Sequence, residues 1–356
     1  MTQKELTTLN VGQSLDDLMN LDPRGYGVCK ILYPASRKYA GGPTCMRAAR
    51  LLDESVKENS LVYIFTGFVL LPHKKPETDG ICGALQMARA VVEAYGATPI
   101  LVVPTDSVRA AVNMAPVVGL HAYESIEEAR ALPYSVGIVT FTKDPAEAPK
   151  QAEQMLALEL PSAAISTEAP GANTVGAYHN AAGMGITELE AKSDILWNML
   201  RDKGIPTLAV GDLGNEIGMG TLGAHIKRFI PRAAEGTCVC GCGGGLMACS
   251  TADAVVTATV SDWGIYAICA ALAYLHDNMD ISPEAEMVRA AITTASRSGM
   301  VDMTGRLTPG VDGFDVEFNV LLATLMRRVA EYPAKLAAGC RRWFDETSAL
   351  GYFEKD

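Results

Sequence analysis

The residues most able to do chemistry lie in the stretch Gly211-Asp212-Leu213-Gly214-Asn215-Glu216-Ile217-Gly218-Met219-Gly220, directly after the apolar run Thr207–Val210. Glycines at 211, 214, 218 and 220 let the backbone take positive φ, which residues with a Cβ mostly avoid. Asp212, Asn215 and Glu216 supply hard oxygen donors, and no lysine or arginine follows until Lys227. Such a donor set suits a hard divalent cation such as Mg²⁺ or Mn²⁺. The plainer reading is a helix start capped by Asp212, with Glu216 out in solvent.

Two other acidic loops also follow strand-like runs. Glu77 and Asp79 come after Leu61–Phe65, and Asp262 comes after Val255–Val260. In an open parallel sheet, the loops at the carboxyl ends of the strands converge on one edge, so these side chains are expected to meet there. Carboxylates crowded without basic partners repel one another, and hold together only with a bound cation or raised pKa values. Behind the run Ala163–Thr167 come Glu168, Tyr178, His179 and Asn180, offering an acid, a base and amide hydrogen bonds. For His179 the alternative is an ordinary surface-loop histidine. Asp302 and Asp312 either join this site or serve as turn residues.

Two further motifs invite other chemistry. Gly218-Met-Gly220-Thr-Leu-Gly223 formally matches the dinucleotide pattern GxGxxG. It opens too late after its strand, however, and Asp212 and Glu216 would repel a pyrophosphate, so nicotinamide binding is not expected. Cys238-Val-Cys240-Gly-Cys242-Gly-Gly-Gly245 suggests zinc or an iron–sulfur cluster. Its alternating spacing is not the paired Cys-x2-Cys of common metal sites, and no histidine is obviously paired with it. It reads instead as small residues packed in a tight turn, with a single catalytic thiol as the alternative.

The elements that must position these groups alternate along most of the chain. Short apolar runs at Leu61–Phe65, Thr98–Val103, Val136–Phe141, Ala163–Thr167 and Pro206–Val210 read as strands buried on both faces. Helical patterns separate several of them, ending at Tyr95 before Gly96 and covering 146–158 and 188–203. A strand over 253–260 precedes three helices over 263–275, 283–298 and 316–331. The predicted fold is therefore α/β: a mainly parallel sheet flanked by helices in three layers, with the active site at the carboxyl ends of the strands. Residues 1–60 read as an N-terminal extension packed on a main α/β domain over 61–356. Within that extension, helices are expected over 14–20 and 43–57 and a strand over 27–32. Gly41-Gly42-Pro43-Thr44 is either an anion-receiving helix start or simply a loop breaker.

A chain of 356 residues that is 49% apolar has ample material for a core. Its net charge of −11 argues against nucleic acid or an anionic membrane as partner. The first residues lack the order of a signal peptide, and the nine cysteines are expected to be reduced, so a cytoplasmic location is expected. The expected partner is a small carboxylate substrate, with homo-oligomerisation open.

Four stretches together resemble the D-glutamate cyclase family: Glu77-Thr-Asp-Gly-Ile-Cys-Gly-Ala84, Gly211 to Gly220, Val260-Ser-Asp-Trp-Gly264 and Ser298-Gly-Met-Val-Asp302, with Gly176-Ala-Tyr-His-Asn180 between. The resemblance covers roughly residues 61–332. It implies an α/β domain, a Mg²⁺ or Mn²⁺ site built from acidic side chains, and reversible dehydration of D-glutamate to 5-oxo-D-proline. Within the matched motifs, the inferred metal ligands are Glu77, Asp79, Asp212, Glu216 and Asp302. The inferred catalytic groups are Glu216, Asn215, His179, Glu168 and Asp262. This chain departs from the family pattern at Ile81-Cys82, where a Pro-Pro pair is usual, at Leu213, where glycine is usual, and at Asp262, where asparagine is usual. An added carboxylate at 262 would disfavour a dianionic substrate. The alternatives are a metal-dependent hydrolase of a lactam, lactone or phosphate ester, and a non-catalytic metal- or ligand-binding module.

Overall fold

The computed structural model describes residues 1–353. Their centre is one sheet of seven strands: β1 (Leu61–Phe65), β2 (Thr98–Val103), β3 (His121–Tyr123), β4 (Ser135–Thr140), β5 (Ala163–Thr167), β6 (Thr207–Gly211) and β7 (Ala254–Thr257). Every neighbouring pair is parallel, in the order β3-β4-β2-β1-β5-β6-β7. The chain thus starts in the middle at β1, builds one wing, and returns past β1 to build the other. The break in direction lies between β1 and β5, where outgoing loops part and leave a crevice.

Helices cover both faces, and the strands show why. Val62 and Ile64 of β1 enter one apolar cluster, while Leu61, Tyr63 and Phe65 enter the other. A strand with apolar residues at every position is stable only between two layers. The first layer comprises α1 (Gln3–Met19), α3 (Thr44–Ser55), α4 (Ile81–Tyr95), α5 (Thr105–Met114), α10 (Ser261–His276), α11 (Ala285–Arg297) and the start of α12 (Val316–Ser348). The second comprises α2 (Val28–Ala40), α6 (Ile126–Ala131), α7 (Ala148–Leu158), α8 (Ser193–Asp202) and α9 (Gly223–Phe229). α10 is buried nearly all round, which explains its uninterrupted apolar composition.

The first sixty residues differ from expectation in two places. Residues 27–32, expected as a strand, begin α2: Cys29, Leu32 and Ser36 are buried at helical spacing, and Gly27 starts the helix with φ of 77°. A short apolar run does not by itself separate a strand from a buried helix. The helix start at Thr44 does receive an anion, but it is the chain's own Asp16. Its carboxylate accepts from Thr44 N–H at 2.6 Å and Cys45 N–H at 3.1 Å, and burial raises its pKa despite those bonds. α1 and α3 lie in one layer and α2 in the other, so this segment wraps the β7 edge; Ser36 Oγ meets Thr257 Oγ1 at 2.6 Å. α1 is longer than the predicted 14–20, and α12 runs past Pro333 to Ser348 rather than stopping near 331.

Candidate functional site

At the crevice between β1 and β5, a cavity of about 290 Å³ is lined by the acids Asp22, Glu77, Asp79, Glu168, Asp212 and Asp312. Arg24 is the one cationic side chain among its lining residues. Glu77 and Asp79 come from the loop after β1, Glu168 directly follows β5, and Asp212 follows β6. The three strand ends bring them together as the parallel topology requires.

Asp79 and Asp262 are held by an exchange between two helix starts. Asp79 Oδ2 accepts from Ser261 N–H at 3.0 Å and its Oδ1 from Asp262 N–H at 2.9 Å, at the first turn of α10. In return Asp262 Oδ1 accepts from Gly80 N–H at 3.0 Å and Gly83 N–H at 2.6 Å, at the first turn of α4. Each carboxylate sits on the positive end of the other's helix. Gly80 makes the close approach possible. With φ of 84°, a Cβ there would lie 2.5 Å from Glu168 Cβ and 2.7 Å from Thr66 Oγ1.

Glu216 folds back onto its own loop. Its carboxylate accepts from the N–H groups of Asp212 and Leu213, each at 2.8 Å, and Gly214 at 2.6 Å. That is why the loop turns where it does, and why Glu216 is fully buried rather than out in solvent. Glu168 holds a left-handed backbone, φ 44°, and its carboxylate accepts from Ser261 Oγ at 2.7 Å. Strained geometry of this kind concentrates at functional sites.

Burial and mutual repulsion dominate the electrostatics. Glu168 is pushed well above the ordinary carboxylate range by burial and then by Asp212, Glu216, Asp79 and Glu77. Glu77 and Asp212 rise well above it for the same kind of reason, burial first and Asp312 next. Asp79 is raised to about 7 by burial and Asp312, against the lowering pull of its three backbone donors. Asp312 is also raised by burial, although Arg24 pulls it down.

Two overlapping groups of carboxylates are close enough to hold a cation. One oxygen from each of Asp79, Asp212 and Asp312 lies within 4.8 Å of the others, and the same holds for Glu168, Asp212 and Glu216. Asp212 belongs to both. Acids that burial holds towards protonation, with little positive charge nearby, are the donor set a Mg²⁺ or Mn²⁺ ion would ionise and satisfy.

The remaining predicted residues are placed as follows. Asp302 accepts from Thr304 N–H at 3.2 Å, Thr304 Oγ1 at 2.9 Å and Gly313 N–H at 2.7 Å, so it shapes the turn that presents Asp312. Asn215 lines the cavity, with its side-chain amide donating to the His179 carbonyl at 2.8 Å. The His179 ring is buried and points away from the acids, with Nε2 3.0 Å from Cys240 Sγ. Thus the cysteine stretch does have a histidine beside it, contrary to the sequence reading. Asp262 does not line the cavity; its bonds to Gly80 and Gly83 hold it behind Asp79, and burial and then Asp79 push its pKa well above the ordinary carboxylate range.

Sequence reasoning missed Asp22 and Arg24. Arg24 Nη1 pairs with the Asp312 carboxylate and donates to its carbonyl at 2.6 Å, and Nη2 donates to Thr259 O at 2.8 Å. Its guanidinium lies over the rings of Tyr26 and Phe314. The only signal was the turn-rich Asp22-Pro-Arg-Gly-Tyr-Gly27 run itself.

The fold, a doubly wound parallel sheet with an acid-lined crevice at its switch point, defines an α/β protein of three layers. The family described as D-glutamate cyclase-like, C-terminal, matches residues 15–327, and this chain belongs to that family. It is also 34% identical over 114 residues to the human protein named D-glutamate cyclase, mitochondrial. That match covers 32% of this chain and only 17% of the human protein's length. Among the described residues, no helix is long and apolar enough to cross a membrane.

Proposed function

We propose that this chain is a divalent-metal-dependent cyclase that interconverts D-glutamate, or a closely related small carboxylate, with the lactam 5-oxo-D-proline. The observation that carries the reading is the cavity at the switch point, where six acids, four of them buried, surround a space of about 290 Å³ with Arg24 at its wall. That volume is at the small end of the roughly 300–1,000 Å³ usual for ligand sites, which favours a compact substrate. The name of the human relative and the family match point the same way.

Asp79, Asp212 and Asp312 would hold Mg²⁺ or Mn²⁺, which would supply Lewis-acid polarisation of a carboxyl group. In the cyclising direction the substrate amine forms a bond to its distal carboxyl carbon, and a C–O bond breaks to release water. Glu168, whose pKa burial and the surrounding acids raise, would give a proton to the departing oxygen. A neighbouring carboxylate receives the proton lost by the amine. Arg24 offsets negative charge at the wall, and the narrow cavity keeps the substrate folded towards its ring form, removing much of the entropic barrier.

The test is product formation from D-glutamate and from 5-oxo-D-proline, with L-glutamate, a lactone and a phosphate ester in parallel, under Mg²⁺ or Mn²⁺ and after chelation. Metal-dependent interconversion of the D-glutamate pair is expected. Turnover of the lactone or phosphate ester alone would replace the cyclase with a hydrolase. Metal binding without any turnover would leave a binding module.

A further inference from the structure

We propose that His179, Cys238, Cys240 and Cys242 form a structural zinc site, distinct from the carboxylate pocket and independent of the reaction assigned to it. The residues come from two loops far apart in sequence. His179 lies between β5 and α8, and the cysteines lie between α9 and β7. His179 Nε2 is 3.0 Å from Cys240 Sγ and 3.5 Å from Cys242 Sγ. Cys238 Sγ is 3.5 Å from Cys242 Sγ and 3.6 Å from Cys240 Sγ. One ligand atom from each of the four lies within 4.8 Å of all the others.

Those separations match a tetrahedral shell. Zn–S bonds of about 2.3 Å at tetrahedral angles hold sulfurs about 3.8 Å apart, with nitrogen slightly closer. They are far too long for disulfides, and all the cysteines are free. Gly241 and Gly243, with φ of 74° and 86°, turn the chain sharply enough for three alternating cysteines to face one point, which an extended strand would not allow. Outer donors are also present. Gly244 N–H lies 3.4 Å and Asn173 Nδ2 3.5 Å from Cys242 Sγ, as suits a thiolate more than a thiol.

Soft sulfur with one imidazole selects zinc over the hard ions suited to the neighbouring acids. Four protein ligands leave no open position, so the site is structural. Its effect reaches the pocket through His179, whose carbonyl accepts from Asn215, and through Asn180, Ala181 and Ala182, which line the cavity. Val239 N–H also donates to Gly183 O at 2.9 Å, pinning the cysteine turn to the same loop.

The test is metal analysis of the full chain purified under reducing conditions. About one zinc per chain is expected to survive gel filtration, falling below about 0.1 in Cys240→Ser and Cys242→Ser while Asp212→Asn retains it. Cobalt substitution of the unmutated chain should give thiolate-to-cobalt charge-transfer absorption and tetrahedral visible bands, a readout that needs no variant to fold. The proposal is overturned if neither zinc nor cobalt binds after reconstitution. It is equally overturned if zinc follows Asp212 rather than the cysteines, or if mass spectrometry of freshly purified chain finds a disulfide among the three.

Discussion

Two groups of candidate ligands meet across Asn215, and they are built in opposite ways. Three acids in and behind the pocket are buried and fixed by the backbone: Asp79 by the start of α10, Asp262 by the start of α4, and Glu216 by three N–H groups of its own loop. The cysteines stand on a glycine turn, Cys240 exposed and Cys242 half-buried, and their main partners are one another and His179. The contrast teaches that a ligand set can be organised either by the fold or by the ion it holds. The acid pocket should keep its shape without metal, whereas the sulfur loop should not.

The strongest way to break this comparison is Asp212→Asn, since Asp212 belongs to both acidic groups. Turnover is expected to fall by about 100-fold or more, measured with D-glutamate under saturating Mn²⁺. The fold should survive, because other residues hold the loop. Activity within a few-fold of the original would remove the metal role assigned to the pocket.

A pH series sharpens it further. Asp79 has a folded-state pKa of about 7 against an ordinary 3.8, so the folded protein keeps a proton that the unfolded chain has already lost. That contribution to stability is intact below about 4 and is lost as pH rises through about 7. Glu77, Glu168 and Asp212 shift in the same direction. Metal-free protein should therefore melt lower at pH 8 than at pH 5.5, and Mg²⁺ or Mn²⁺ should raise the melting temperature more at the higher pH. Thermal denaturation with and without chelator reads this directly; a midpoint that climbs with pH in the absence of metal would contradict it.

The smallest effect is expected from Asp262→Asn. The substitution keeps an oxygen acceptor for Gly80 and Gly83 and removes one buried ionisable group. Activity should stay within about fivefold and stability within about 1 kcal/mol, since the hydrogen bonds persist. A loss comparable to that of Asp212→Asn would place Asp262 in the chemistry rather than behind it.

The sheet was readable because β1, β2, β5 and β6 are buried on both faces and so appear as unbroken apolar runs. β3, with only three residues and partial exposure, left no such trace. Asp79, Glu168 and Asp212 were foreseeable because each follows a strand whose carboxyl end opens onto the crevice. Asp22 and Arg24 were not, because they sit in a turn whose role is defined only by residues near 312 and 259. The meeting of His179 with Cys240 spans 61 residues and violates the familiar cysteine spacing, so only three-dimensional proximity reveals it. Asp262 carried the opposite lesson: its charge suggested chemistry, while its bonds show a cap.

The pairing of Arg24 with Asp312 joins positions 288 residues apart. During synthesis the guanidinium emerges before any strand of the sheet, and all seven strands follow before its counter-charge appears. A nascent chain can assemble all seven strands and still lack a finished wall to the acid-lined cavity, which closes only once the segment around Asp312 has been made.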